Sequence, residues 1–188
     1  MPEHRHPNFY RPPLRRIPNP QNITPVIKVI SGGQIGPDIA ALRAAHRLGI
    51  PTGGHMPKNF RTKEGPHPDW GRKFGMTEDT TLDYRKRTRL NVENSDGTIR
   101  FMYDPESGGE IATLLELNYA KKPYLDIFFD RDNYQLASKP RHTEHRIRRW
   151  LIMKNIQILN VAGNSNIYLE YPVEHLLIRV LGSRKTDN

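Results

Sequence analysis

Val26-Ile27-Lys28-Val29-Ile30-Ser31-Gly32-Gly33-Gln34-Ile35-Gly36-Pro37-Asp38-Ile39-Ala40-Ala41-Leu42-Arg43-Ala44-Ala45-His46-Arg47-Leu48-Gly49-Ile50-Pro51-Thr52-Gly53 is the stretch that decides the fold. Its β-branched opening, Val26 to Ile30, reads as a buried strand, and Ser31 to Gln34 as a glycine turn. Ile39, Leu42, Ala45 and Leu48 then recur at helical spacing, Gly49 stops that helix, and Ile50 to Gly53 starts a second short strand. The order is strand, glycine loop, helix, strand.

The same succession continues outward. Thr98 to Tyr103 reads as a strand after the Asp96-Gly97 turn. Ser107-Gly108-Gly109 opens a helix over Glu110 to Ala120 that Lys121-Lys122-Pro123 closes, and Tyr124 to Phe129 is the next strand. Further helices are predicted over 80–92, 143–155 and 173–181, and a further strand over 156–162. Residues 55–78, rich in Pro, Gly and charge and without a period, read as a long surface excursion. Strands alternating with helices at this spacing predict an α/β fold, an open, mostly parallel sheet with helices on both faces.

The chain has 188 residues, 36% of them hydrophobic, enough for one ordinary core and too few for two domains. We divide it into an extended basic arm (1–25), a ligand-binding domain (26–183) and a tail (184–188). The arm holds seven prolines (Pro2, Pro7, Pro12, Pro13, Pro18, Pro20, Pro25) among Arg5, Arg11, Arg15 and Arg16. Such a segment buries too little to offset its ordering entropy. It reads either as a strap over its own domain or a neighbouring subunit, or as a nucleic-acid-binding arm.

The formal net charge is +9, which favours anionic partners: phosphorylated small molecules, nucleic acid or acidic lipid. The absence of cysteine excludes disulfides, thiolate metal sites and a cysteine nucleophile, and fits a cytoplasmic protein. No run of about 18 apolar residues and no secretory h-region is present, so a soluble chain without a membrane partner is expected.

Chemistry concentrates at the two glycine loops, Ser31 to Gly36 and Glu106 to Gly109. Neither is a GxxxxGK[ST] or a GxGxxG loop. Each nevertheless joins a strand to a helix, where bare backbone and free N–H groups at the helix start make an anion site. In open parallel sheets such loops share the carboxyl ends of the strands.

Ser31-Gly32-Gly33-Gln34, Asp38, Ala40-Ala41-Leu42, Gly49-Ile50, Gly53-Gly54, Pro57-Lys58, Arg61, Glu64-Gly65, Arg87-Thr88, Asn91-Val92, Ser95-Asp96-Gly97-Thr98, Ser107-Gly108-Gly109, Thr113, Lys122-Pro123 and Asn160-Val161-Ala162-Gly163 together resemble the molybdenum carrier family. That family is similar to the Rossmann-like group of lonely-guy phosphoribohydrolases and DNA-processing A proteins. The resemblance implies a Rossmann-like fold, a homo-oligomer, and a nucleotide-like or pterin-phosphate ligand, molybdenum cofactor in the carriers.

On the same resemblance Gly32, Gly33, Gln34, Ser107, Gly108 and Gly109 would hold phosphate or polar groups, with Gly36 and Thr113 in the same loops. Lys58, Arg61 and Arg87 would supply positive charge, and Asp96 and Thr98 would line the floor. Asp38 would orient Gln34 or a ligand hydroxyl, or favour the start of its helix. Departures from the pattern are Ile35, Pro37, His55-Met56 and Glu110. A carboxylate at Glu110 suits the helix dipole yet repels phosphate, so it would bond a sugar or base, or the anion site has moved.

In the phosphoribohydrolase PGGxGTxxE pattern the catalytic Glu position matches Leu115, with Glu116 one residue late and rotated about 100° around the helix. The leading expectation is therefore a ligand-binding carrier or store. The alternatives are a sponge or sensor for a signalling nucleotide, and a nucleotide N-glycosidic hydrolase using Glu110 or Glu116. His142 and His145 read as a surface pair, and no metal ligand is assigned. Arg141, Arg146, Arg148, Arg149 and Lys154 read as a solvated face, with Trp150 in the core.

Overall fold

The computed structural model describes residues Thr24–Gly182; the arm up to residue 23 and the tail from residue 183 lie outside the described residues. Six parallel strands form one sheet in the order β5-β2-β1-β8-β6-β7, comprising β1 (Lys28–Ser31), β2 (Thr52–Met56), β5 (Met76–Glu78), β6 (Gly97–Met102), β7 (Tyr124–Phe128) and β8 (Ile158–Gly163). A separate antiparallel pair, β3 (Arg61–Thr62) and β4 (Gly65–Pro66), makes a small hairpin. The expected open, parallel α/β sheet is the observed one.

Helices cover both faces. On one, α1 (Pro37–Arg47) packs against α6 (Glu170–Leu181), which also meets α5 (Pro140–Met153). On the other, α3 (Tyr84–Glu93) packs against α4 (Gly108–Ala120). The main core joins Val29, Ile99, Phe101, Leu159 and Val161 of the strands to Ala40, Ala44, Ile147, Leu151, Val173 and Leu177 of the helices. The central strands are buried on both faces, which is why they read as continuous apolar runs.

The excursion over 55–78 is more structured than its composition suggests. It contains a 3-10 turn (Lys58–Phe60), the β3/β4 hairpin, α2 (Pro68–Phe74) and the edge strand β5. Met56, Trp70, Phe74 and Met76 pack there with Ile35, Ile39 and Leu42 into a second small core. Trp150, expected in the core, is half-buried against its edge.

Strand order carries the topology. β8 is last in sequence but sits between β1 and β6, in register with both: Asn160 lies opposite Ile30 on one side and Thr98 on the other. Counted from β8, the strands wind outward through β1, β2 and β5, then through β6 and β7 on the opposite flank. This is doubly wound order with its switch point between β8 and β6. Among the described residues no helix is long and apolar enough to cross a membrane.

Gly54 marks the tightest backbone approach in the β2 region. Its φ is +124°, and a Cβ there would overlap the Ser31 carbonyl oxygen. Gly49, at φ +71°, has open space around it. Gly49→Ala should cost about 1 kcal/mol, the left-handed penalty alone, whereas Gly54→Ala should cost about 3 kcal/mol or more because strand β1 must shift. Urea unfolding of both variants checks this, and equal costs would contradict the close approach.

Candidate functional site

Loops after β1, β6 and β8 and the inner faces of α3 and α4 enclose a cleft of about 490 Å³ at the carboxyl side of the sheet. β1 contributes the loop that begins at Gly32. Ser31 Oγ accepts from Gly33 N–H at 3.1 Å and donates to the Asp38 carbonyl at 3.1 Å, which folds the loop back onto the start of α1. Asp38 Oδ2 accepts from Gln34 N–H at 3.3 Å, so the carboxylate does orient the Gln34 backbone while sitting in the first turn of α1.

Arg87, from the first half of α3, lies across this loop. Its Nη1 is 3.4 Å from Asp38 Oδ2, and its guanidinium occupies the space that a Cβ at residue 32 would need. Glycine at position 32 is therefore what lets Arg87 reach Asp38. Tyr84, one turn earlier on α3, lies under the guanidinium at 5.7 Å.

β6 leads to the second loop. Ser107 caps α4 in position but not by its side chain, which instead accepts from Asn164 Nδ2 at 2.9 Å. Gly108 and Gly109 are exposed, with open space where side chains would be. The first N–H groups of α4 thus face the cleft, and the helix dipole favours an anion there. Thr113 lines the same wall and donates to the Gly109 carbonyl at 2.9 Å.

Glu110, in the first turn of α4, lines the cleft and is 2% exposed. Arg100 donates Nη1 to the Glu110 backbone carbonyl at 3.1 Å and commits Nε and Nη2 to Asp126 at 2.9 and 2.7 Å. Burial pushes the Glu110 carboxyl up to about 7, with Arg100 opposing that rise and Asp38 and Asp126 adding to it. Burial likewise pushes Asp38 up to about 6, against the pull of Arg87 and of the Gln34 N–H.

Gly32, Gln34, Asp38, Arg87, Ser107, Gly108, Gly109, Glu110 and Thr113 thus meet at one cleft. Others do not. Gly33 and Gly36 shape the loop from outside the lining, Gly36 N–H donating to Glu170 Oε1 at 3.3 Å. Lys58 is exposed on the 3-10 turn, and Arg61 lines a separate hollow with Phe60, Pro66 and Glu78. Asp96 precedes β6 and so sits at the amino end of the sheet, where Oδ2 accepts from Gln157 N–H and Ile158 N–H at 2.9 and 2.7 Å. Thr98 lies beneath the floor, accepting from Asn160 Nδ2 at 3.0 Å. Glu116, two turns into α4, is outside the lining.

The cleft also holds residues that the reading of the glycine loops missed: Lys63, Tyr84, Arg85, Thr88, Asn91 and the run from Asn160 to Ser165. The last had a usable signal, a buried strand ending in Gly163. Asn164 ties the β6 and β8 loops together, its Oδ1 accepting from Tyr103 and Asp104 N–H at 2.8 and 2.9 Å. Six buried side-chain atoms among the described residues have no hydrogen-bond partner, and four of them belong to cleft residues: Gln34 Oε1, Arg87 Nε, Glu110 Oε2 and Asn160 Oδ1. Among the described residues no cluster of three or more His, Cys, Asp or Glu is arranged to hold a metal ion.

Comparison with known proteins places this geometry. No curated protein matches the chain significantly. A crystal structure from Syntrophus aciditrophicus SB, described as a "putative molybdenum carrier protein", is similar at 34% identity and a TM-score of 0.72, covering 85% of this chain and 96% of the other. Residues 29–169 match the circularly permutated YpsA SLOG family, a description that agrees with a sheet whose winding starts at its last strand. The chain belongs to the circularly permutated YpsA SLOG family.

Proposed function

We propose that this protein captures a phosphorylated pterin, of the molybdenum-cofactor kind, or a nucleotide in the cleft and acts as its carrier or store. The observation that carries the reading is the concentration of unpartnered buried polar atoms on Gln34, Arg87, Glu110 and Asn160. Buried polar groups are paired in all but a few cases, so a cluster of unpaired ones at a concave surface favours a ligand that completes them. Gly108 and Gly109 at the start of α4, with Arg87, Arg85 and Lys63 around the same cleft, suit the phosphate end. The similar Syntrophus protein, described as a molybdenum carrier, supports a small-molecule ligand. In this reading a molybdenum-bearing group is cargo, held through its organic part and phosphate.

A second reading rests on Glu110. A buried carboxyl with its pKa near 7 suits a general acid, and beside an anion site it would serve hydrolysis of a nucleotide N-glycosidic bond. Incubation with nucleoside monophosphates separates the two. Binding alone returns intact ligand on heat denaturation, and so would a nucleotide sponge. Free base that disappears in Glu110→Gln would replace the carrier reading with the hydrolase.

Ligand released from gently purified protein and identified by mass spectrometry should be a phosphorylated pterin or nucleotide. Arg87→Met should weaken its rebinding by about 10- to 100-fold, the value of one charge-assisted contact, by calorimetric titration. Recovery of neither ligand class, with no thermal shift from a panel of them, would sink the proposal.

The raised carboxylates set a pH dependence. Asp38 and Glu110 bind protons more tightly in the folded chain than at their ordinary values of 3.8 and 4.5. The stability they contribute is complete below those values and is lost as pH rises through about 6 and about 7. Unliganded protein should therefore melt at higher temperature at pH 5 than at pH 8, and Asp38→Asn with Glu110→Gln should flatten the slope. An unchanged slope in that double variant would contradict the assignment.

A further inference from the structure

Of the four unpaired atoms of the cleft, Arg87 Nε is a donor and suits the phosphate end, and two of the other three are acceptors of fixed sign. Gln34 places its amide against the Arg61 backbone carbonyl at 3.1 Å; a carbonyl only accepts, so the contacting atom is the Nε2 donor and Oε1 is the free one. Glu110 Oε2 is the second free acceptor. Its nearest cation, Arg100 Nη1, stands 3.8 Å away, beyond hydrogen-bond reach, and is already donating to the Glu110 carbonyl. Asn160 does not bias the count, because its amide faces the Thr98 hydroxyl, which can donate or accept.

Gln34 is 5% exposed and Glu110 2%, and both line the cleft. Ala112, Val161 and Ala162, with the bare backbones of Gly108 and Gly163, present small side chains to the same cleft and suit a planar ring. The remaining carboxylate, Asp38, is engaged by Gln34 N–H and Arg87.

We infer that Glu110 and Gln34 read a donor edge of the ligand, a ring N–H beside an exocyclic amino group, as presented by the 2-amino-4-oxopyrimidine ring common to pterins and guanine. The inference rests on the ligand-binding reading above and adds which ring is selected. Adenine offers an amino donor beside a ring acceptor, so one protein acceptor would face another. Hypoxanthine keeps the ring N–H and lacks the amino group. A site built around hydrogen bonds rejects the analogue that lacks one, because the protein atom is then left buried and unpaired.

Calorimetric titration of the full chain with GMP, IMP, AMP and neopterin monophosphate tests the assignment. GMP or neopterin monophosphate should bind about tenfold or more tightly than IMP and AMP, and whichever of the two is tighter identifies the source of the ring. In Glu110→Gln the GMP to IMP ratio should fall to within about threefold, with Gln34→Met as the second variant and the wild-type ratio standing on its own should either fail to fold. Equal binding of GMP, IMP and AMP would overturn the donor-edge assignment and leave the cleft a ligand site. No binding of any of the four would overturn both readings.

Discussion

Everything in this fold waits on β8. Without Ile158–Gly163 the sheet is two separate halves, β5-β2-β1 and β6-β7, with the facing edges of β1 and β6 unpaired. Side-chain to backbone bonds pin the strand at both ends. Asp96 accepts the N–H groups of Gln157 and Ile158 at its start, and Asn164 just past its end bonds the backbone of Tyr103 and Asp104 and the Ser107 hydroxyl. These bonds fix the register that sets Asn160 between Ile30 and Thr98. The strand that closes the sheet is also the floor of the cleft, so assembly of the site is tied to completion of the core.

The cleft is electrostatically divided. Arg85, Arg87, Lys63 and the start of α4 supply positive potential around a cleft in which Asp38 and Glu110 are also buried. Burial of two carboxylates in one cleft is costly, and each is held by a different arginine: Asp38 by Arg87 from α3, Glu110 by Arg100 from β6. Neither arrangement is complete. The 3.4 Å contact at Asp38 is long for a charge-assisted bond, and the 3.8 Å separation at Glu110 is no bond at all. Incompletely paired charge in a concave site is the physical signature of a surface that binds something.

Regular elements were legible in the sequence where a single period ran long enough. The run from Val26 to Leu48 states its strand, turn and helix by residue type alone, and the β6-to-α4 unit repeats it. The edge strand β5 was not legible, because Met76-Thr77-Glu78 is three residues long and its core partners Met56, Trp70 and Phe74 arrive without a period. Which motif residues share the cleft was legible in the two glycine loops and at Arg87, and not at Lys58, Arg61, Asp96 or Thr98. Asp96 and Thr98 belong to one short motif with Gly97, yet strand direction puts Asp96 at the amino end of the sheet and Thr98 under the floor. Asn160 was quoted within a motif but given no role, because its place in the cleft depends on β8 being inserted centrally, a matter of strand order.

That insertion has a simple geometric cause. α1 and α6 both run back from the carboxyl side of the sheet to the amino side, and they pack together over their length. Gly182, just after α6, lies near Leu48, just after α1, and β1 begins from the same side. The ends of the described domain are therefore near each other and away from the cleft. Opening the chain before β1 instead of before β8 moves no strand in the sheet and no residue in the site. It changes only which glycine loop comes first in the sequence. A reader of the linear chain meets the β1 loop at the start and the β8 loop at the end, although the two are adjacent across the middle of the sheet. Permutation thus leaves the site intact and scatters its sequence signature, so the Asn160-Val161-Ala162-Gly163 motif could be quoted from the sequence while its place beside the β1 loop came from the fold.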